Sequence, residues 1–511
     1  MQPLSSAPAA PVSSSRPRRL EPGLVLVQID GLSREHLHQA LQQGLMPNLK
    51  ERLDSGQMVE SAFRPGVPTQ TGVVIAGMLY GRSVLPSNQW LDKATGQVPN
   101  VTGSRNSDLV EDSFLRSGAR GLLEGGSAYL SPLSGHADRE CFTLNELARV
   151  RRAGGRKAVL REVARDWAHL AWSLAVHPGQ AVKTAVHWAA DFGRGILARK
   201  GGQSLWKDRL KPAFWSATQN VWMTDASVRA MTRRMAQGDP VLFIDMPAYD
   251  DRSHAEGPEA ALGALKNVDR GLGVLLQAAS RGRRLYNVVL YSDHGSSESV
   301  SFQQLYGKTL AEYVASLLPP GGGSPGAAAG WPSPDPRLGW VDFGPGAHLY
   351  FRFSDQPLDG SQVEARYPGL TGRLVSHPAI AFAVTREGSA THIVGKQGEV
   401  WVQAGQVRVV GQNPLAAFGD EHITVHQIHD QAHRAGAGDV MVYGGFVGGK
   451  LVSFALHPQK GTHGGIGNTQ DEAFLIQPAG LGIDTRQVDQ AAEVYPQLAA
   501  ILPPDAPAHQ P

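Results

Sequence analysis

Three short apolar runs punctuate the chain, and each is closed by an aspartate. Leu24-Val25-Leu26-Val27-Gln28-Ile29 ends at Asp30, Val241-Leu242-Phe243-Ile244 at Asp245, and Asn287-Val288-Val289-Leu290-Tyr291-Ser292 at Asp293. Runs of this length, rich in Leu and β-branched residues, suit strands of a parallel sheet buried on both faces. After the first run Gly31 breaks the strand, and Ser33 is placed to cap a helix through Leu37, Leu41 and Leu45. The resulting unit is strand, turn and helix, with a carboxylate at the C-terminal end of the strand, where open α/β sheets collect their ligands. The pattern predicts an α/β fold with a doubly wound sheet and helices on both faces. Further along, Val400 to Val410 alternates and turns like a hairpin, which predicts a small β-rich cap, while the Gly/Pro-rich residues 319–336 read as a linker or loop.

Composition narrows the class. Of 511 residues, 41% are hydrophobic and 18% charged, which is ordinary for a globular protein and rules out wholesale disorder. The lone Cys141 excludes an intramolecular disulfide framework and any multi-cysteine zinc site. Residues 1–22 are rich in Ala, Pro and Ser and read as a disordered tail without the apolar core of a signal peptide. No run of 18 apolar residues occurs, so no spanning helix is expected and the cytoplasm is the simplest compartment.

The net charge of +2 hides an asymmetry. Residues 149–211 carry 14 Lys and Arg against four acids, while the rest of the chain is net acidic. Trp167, Trp172, Trp188 and Trp206 fall in the same stretch, among helical-looking segments. Basic amphipathic helices bearing Trp favour an anionic membrane surface. The alternative is a helical insertion, spanning about 149–215, that packs its Trp residues on the main domain and turns its Arg residues to water.

Five segments carry candidate chemistry. The first is Asp30. The second is Pro68-Thr69-Gln70-Thr71-Gly72, leading into a short apolar helix whose unpaired N–H groups would attract an anion. A hydroxyl there can act as a nucleophile or merely as a helix cap. The third is Asp250-Asp251-Arg252-Ser253-His254, where Asp250 and His254, four apart, can face one ion from a single helical turn. The fourth is Ser292-Asp293-His294-Gly295 and the fifth Gly461-Thr462-His463-Gly464-Gly465. Three carboxylates and three imidazoles suffice for two sites of mixed ligation, suited to zinc, with manganese or another divalent ion also accommodated.

In this order the segments resemble the alkaline phosphatase superfamily, and within it the type I phosphodiesterase/nucleotide pyrophosphatase family. The resemblance spans about residues 23–480, with 481–511 left as a C-terminal helix and tail and 340–450 as a cap-like insertion. It implies an alkaline-phosphatase-like sheet and two divalent metal ions, one held by Asp250, His254 and His463. The other would be held by Asp30, Asp293 and His294, with the nucleophile's oxygen completing its shell. The nucleophile matching the family's Ser or Thr is Thr69, with Thr71 as the fallback, and the implied reaction passes through a phosphothreonyl intermediate. Asn88, soon after the helix, is a candidate donor to a phosphoryl oxygen.

Sulfatases of this fold need a Cys/Ser-x-Pro-x-Arg motif at the nucleophile and are excluded, because Cys141 stands far from any such context and Pro68-Thr69-Gln70-Thr71 lacks the Arg, and the substrate-binding pattern of cofactor-independent phosphoglycerate mutases is not matched. No Arg stands beside Thr69 to clamp a dianionic phosphate, which favours a diester or pyrophosphate over a monoester. A phosphomonoesterase or a lipid head-group phosphotransferase remains the alternative within the superfamily. A catalytically silent membrane-docking scaffold is the alternative of another class. His422, His426, His429 and His433, like His169, His177 and His187, lack strand-end or motif context and read as ordinary polar positions, and Asp245 reads as supporting or structural.

Overall fold

The computed structural model describes residues 20–198, 204–281, 284–319, 335–419 and 421–504. Most of the expected N-terminal tail, most of the 319–336 linker and the last seven residues lie outside the described residues. Along the chain the strands are β1 (Leu20–Ile29), β2 (Met58–Phe63), β3 (Ser127–Tyr129), β4 (Arg139–Cys141), β5 (Val241–Met246), β6 (Arg284–Tyr291) and β7 (Ser297–Ser301). They continue as β8 (Leu338–Asp342), β9 (Gly346–Phe351), β10 (Ile380–Glu387), β11 (Ala390–Gly395), β12 (Gly398–Gln403), β13 (Gln406–Gly411) and β14 (Val440–Gly444). Last come β15 (Phe446–Val447), β16 (Lys450–Ser453), β17 (Gly461–Thr462) and β18 (Ala473–Pro478).

The central sheet has the order β2-β18-β6-β1-β5-β3-β4. Its β6, β1, β5, β3 and β4 run parallel, and β18 is antiparallel to both β6 and β2. β1 shows why the apolar run reads as it does. Val25, Val27 and Ile29 pack into one hydrophobic layer and Leu24 and Leu26 into the other, so both faces must be apolar. Gln28 is the exception, a polar side chain with no exposed surface in the middle of the sheet.

Helices cover both faces. The first, Arg34–Gln42, is capped as expected, with Ser33 Oγ accepting from the His36 N–H at 3.1 Å. The insertion contains the long helix Leu144–Ala175, which bends at Gly155 where φ is +64°, and the helix Pro178–Ala198. It continues through Lys211–Ala217 and on to Thr224–Gln237. A second sheet of seven strands, β13-β12-β11-β10-β14-β9-β8, forms the cap, with the 400–410 segment as its edge hairpin. A four-stranded sheet, β15-β16-β7-β17, lies beside them. The C-terminal region includes a short helix, Tyr495–Ala500. Among the described residues no helix is long and apolar enough to cross a membrane.

Candidate active site

Asp30 follows β1, Asp293 and His294 follow β6, and Asp250 and His254 occupy one face of the helix Ala248–Glu256 that leaves β5. Parallel neighbours bring these strand ends to the same edge of the sheet. His463, in the glycine-rich loop after β17, reaches the same place from the far end of the sequence. All six side chains expected as ligands meet there. Asp30, Asp293 and His294 offer ligand atoms within 4.8 Å of one another, and so do Asp250, His294 and His463. His254 Nε2 lies 3.1 Å from Asp250 Oδ2 and 3.2 Å from His463 Nε2.

The approach of the chain is tight. Gly31 has φ +73°, and a Cβ there would come within 2.5 Å of Asp250 Oδ1, so only glycine allows the turn after β1 and the helix to come so close. Its N–H donates to Asp293 Oδ1 at 3.1 Å. Gln28 supports the carboxylates from within the sheet, donating through Nε2 to Asp245 at 3.1 Å and to Asp293 at 3.3 Å.

The electrostatics demand positive charge. Burial first, and then Asp293 and Asp245, push Asp30 far above the usual carboxylate range, and burial likewise raises Asp245 and Asp293. Burial would raise Asp250 as well, but His254, His463 and His294 hold it below its ordinary value. Burial opposes a proton on His254, yet Asp250 holds that imidazole up at about 9, while burial and His294 press His463 down to about 3.

A cation fits this donor set. The Nδ1 atoms of His254, His294 and His463 face the backbone carbonyls of Gly461, Gly295 and Thr69 at 2.8, 3.0 and 2.9 Å. Donation to those carbonyls fixes the tautomer and leaves each Nε2 lone pair turned towards the carboxylates. His254 and His463 thus bring two Nε2 atoms to 3.2 Å, an approach that only a proton or a cation relieves. Asp250 Oδ1 is buried without a hydrogen-bond partner.

The two threonines are not equivalent. Thr69 is fully buried; its Oγ1 donates to the Gly465 carbonyl at 3.0 Å and accepts from the Gly464 N–H at 2.9 Å. The expected nucleophile is therefore turned away from the cluster and clasps the loop that carries His463. The fallback Thr71 opens the helix Thr71–Tyr80, and its Oγ1 lies 3.2 Å from His294 Nε2 and 3.4 Å from Asp30 Oδ1. Asn88 stands beside it: its Oδ1 accepts the Gly72 N–H at 3.0 Å, and its own N–H donates to Gln70 Oε1 at 2.7 Å. A Cβ on Gly72 would lie 2.7 Å from Asn88 Oδ1, so the glycine is what allows this contact.

Of the positions set aside, His429 and His433 both contact Thr391 Oγ1, at 2.7 and 3.1 Å, and His422 packs against His426. Among the described residues none of these, nor His169, His177 or His187, belongs to a group able to hold a metal ion. Gln28 is the support that sequence reasoning missed, although a lone polar residue inside an apolar run was its signal.

The sequence signature of the type I phosphodiesterase/nucleotide pyrophosphatase family matches residues 24–315. That stretch contains five of the six clustered side chains, and His463 lies beyond it. No curated protein matches the sequence. Among solved structures, phosphonoacetate hydrolase from Sinorhizobium meliloti 1021 in complex with phosphonoformate is 13% identical with a TM-score of 0.49, over 97% of this chain and 100% of that one. Murine ectonucleotide pyrophosphatase/phosphodiesterase 5, in an inactive form in complex with AMP, is 11% identical with a TM-score of 0.47, over 96% and 97% of the two chains.

Proposed function

Because the chain belongs to the type I phosphodiesterase/nucleotide pyrophosphatase family of phosphoester hydrolases, we propose that it cleaves a phosphodiester or pyrophosphate bond with Thr71 as nucleophile and two divalent cations as cofactors. The observation that carries this reading is the Thr71 hydroxyl at a helix N-terminus, within 3.4 Å of both Asp30 and His294. Asp250, His254 and His463 would hold one ion, and Asp30, Asp293 and His294 the other. Zinc or manganese there would make the hydroxyl more acidic and offset charge on the phosphoryl and leaving oxygens.

Thr71 Oγ1 attacks phosphorus as its proton passes to solvent, the bond to the leaving oxygen breaks, and that oxygen takes up a proton from water and leaves as an alcohol or phosphate. Thr71 then carries the phosphoryl group with its remaining ester, and water restores the hydroxyl. Asn88 orients the site. Its carbonyl is committed to Gly72, and among the described residues its amide nitrogen has no partner, so it is free to donate to a phosphoryl oxygen. Among the described residues no Arg or Lys forms an ion pair or hydrogen bond with Thr71 or the six ligands, which supports a singly charged phosphoryl group over a dianionic monoester.

Hydrolysis of bis-p-nitrophenyl phosphate and of p-nitrophenyl phosphate, measured after chelation and after return of zinc or manganese, tests the reading. Metal-restored turnover that prefers the diester is expected, together with a loss of at least about a thousandfold in Thr71→Ala. Undiminished turnover in Thr71→Ala would overturn the assignment. Inert protein that takes up no metal would return the chain to the scaffold reading.

A further inference from the structure

The helix Pro178–Ala198 has three different faces, and neither the sheet nor the Thr71 site accounts for two of them. Gln180, Lys183, Thr184 and His187 line a cleft of about 440 Å³, completed by Arg229 and Arg270. Its carboxylate, Asp225, accepts from Thr184 Oγ1 at 2.7 Å. Arg270 Nη2 is buried without a hydrogen-bond partner, and among the described residues Lys183, Arg229 and Arg270 form no ion pair. The cleft therefore carries surplus positive charge.

Round the same helix, Ala181, Ala185 and Trp188 line an apolar groove of about 720 Å³, walled by Trp167, Phe214 and Trp215. The third face is open to solvent, with Val182 and Val186 more than half exposed; Trp172, on the preceding helix, is 65% exposed. From Trp167 to Ala190 the only residue with a formal charge is Lys183.

We infer that this insertion docks on an anionic phospholipid bilayer, with Trp172, Val182, Val186 and the aromatic groove entering the acyl boundary and the Lys183–Arg229–Arg270 cleft taking a lipid phosphate. Charge complementarity selects this occupant: an apolar face flanked by unpaired cations gains from burial in the acyl layer and from attraction to anionic head groups together. Asp191, on the same helix, pairs with Arg252 at 3.2 Å, and Arg252 lies between Asp250 and His254 in sequence. The docking helix is thus fastened to the helix that bears two of the clustered ligands.

Flotation of the full chain with vesicles of phosphatidylcholine alone, and of phosphatidylcholine mixed with phosphatidylglycerol, tests the inference without reference to turnover. Binding to the mixed vesicles, weakened by salt, is expected. Trp172→Glu combined with Val186→Glu should abolish it. Lys183→Glu combined with Arg229→Glu should weaken it at least about tenfold. Circular dichroism melts of the variants serve as the folding control. Absence of binding to the mixed vesicles overturns the proposal, as does equal binding by the folded variants. Light scattering that shows a dimer dispersed by Trp172→Glu/Val186→Glu would assign the face to a second copy instead.

Discussion

Thr69 Oγ1 both donates to and accepts from the loop that follows His463, whereas Thr71 Oγ1 makes only longer contacts, and those are with the clustered side chains. The two positions should therefore fail differently. Thr69→Val strands a buried N–H and a buried carbonyl, and is expected to cost about 1–3 kcal/mol in urea unfolding. Thr71→Ala should leave the unfolding midpoint nearly unchanged while abolishing turnover. The convergence of the six acidic and histidine side chains was legible in the sequence because strand ends and Gly-flanked loops announce them. Which of the two threonines lies beside them was not, because it depends on where the helix begins, and periodicity does not fix a helix start to within two residues. Gly72 was the overlooked sign, since it is the residue that admits Asn88.

At the scale of elements, the start of the Thr71–Tyr80 helix and the 86–90 turn act together. Gly72→Ala would force its Cβ against Asn88 Oδ1 and against Val101 Cγ1, each at 2.7 Å. We expect at least about a tenfold loss of diesterase kcat/KM, equivalent to about 1.4 kcal/mol of transition-state stabilisation. The reverse outcome, full activity in Gly72→Ala, would remove Asn88 from the site. The central strands were readable because burial on both faces makes them continuously apolar. The β12–β13 hairpin was readable through its local turn at Ala404-Gly405, where both residues have positive φ. The pairing of β14 with β9 and β10 was not readable, because register between segments so far apart in sequence leaves no local trace.

At the scale of the molecule, the cap grips the segments that flank the Thr71–Tyr80 helix. Arg434 donates to the carbonyls of Val67 and Leu85 at 2.7 and 3.0 Å, and Gln431 to that of Pro86 at 2.9 Å. Lys93 and Asp439 form a buried pair at 2.9 Å, and Asp439 also accepts the N–H groups of Phe351 and Leu358. Lys93→Ala leaves that buried carboxylate with its two N–H donors and with Arg386 at 4.0 Å, at an expected cost of about 1–3 kcal/mol in chemical denaturation. His348 adds a pH signature. Burial presses its imidazole from 6.5 down to about 3. Between those values the unfolded chain binds the extra proton, so stability present above pH 6.5 is lost as the pH falls towards 3, by up to about 4 kcal/mol. Unfolding of His348→Gln across this range should be less acid-sensitive than that of the native protein, and parallel curves would contradict this.

The carbonyl of Thr69 anchors the His463 ring, and its hydroxyl grips the two glycines that follow. One short stretch of backbone is thus a shared hinge-pin for an imidazole and for the Thr71 hydroxyl two residues on. Loosening it would shift both together, so a change at this point is expected to reach the site as well as the fold.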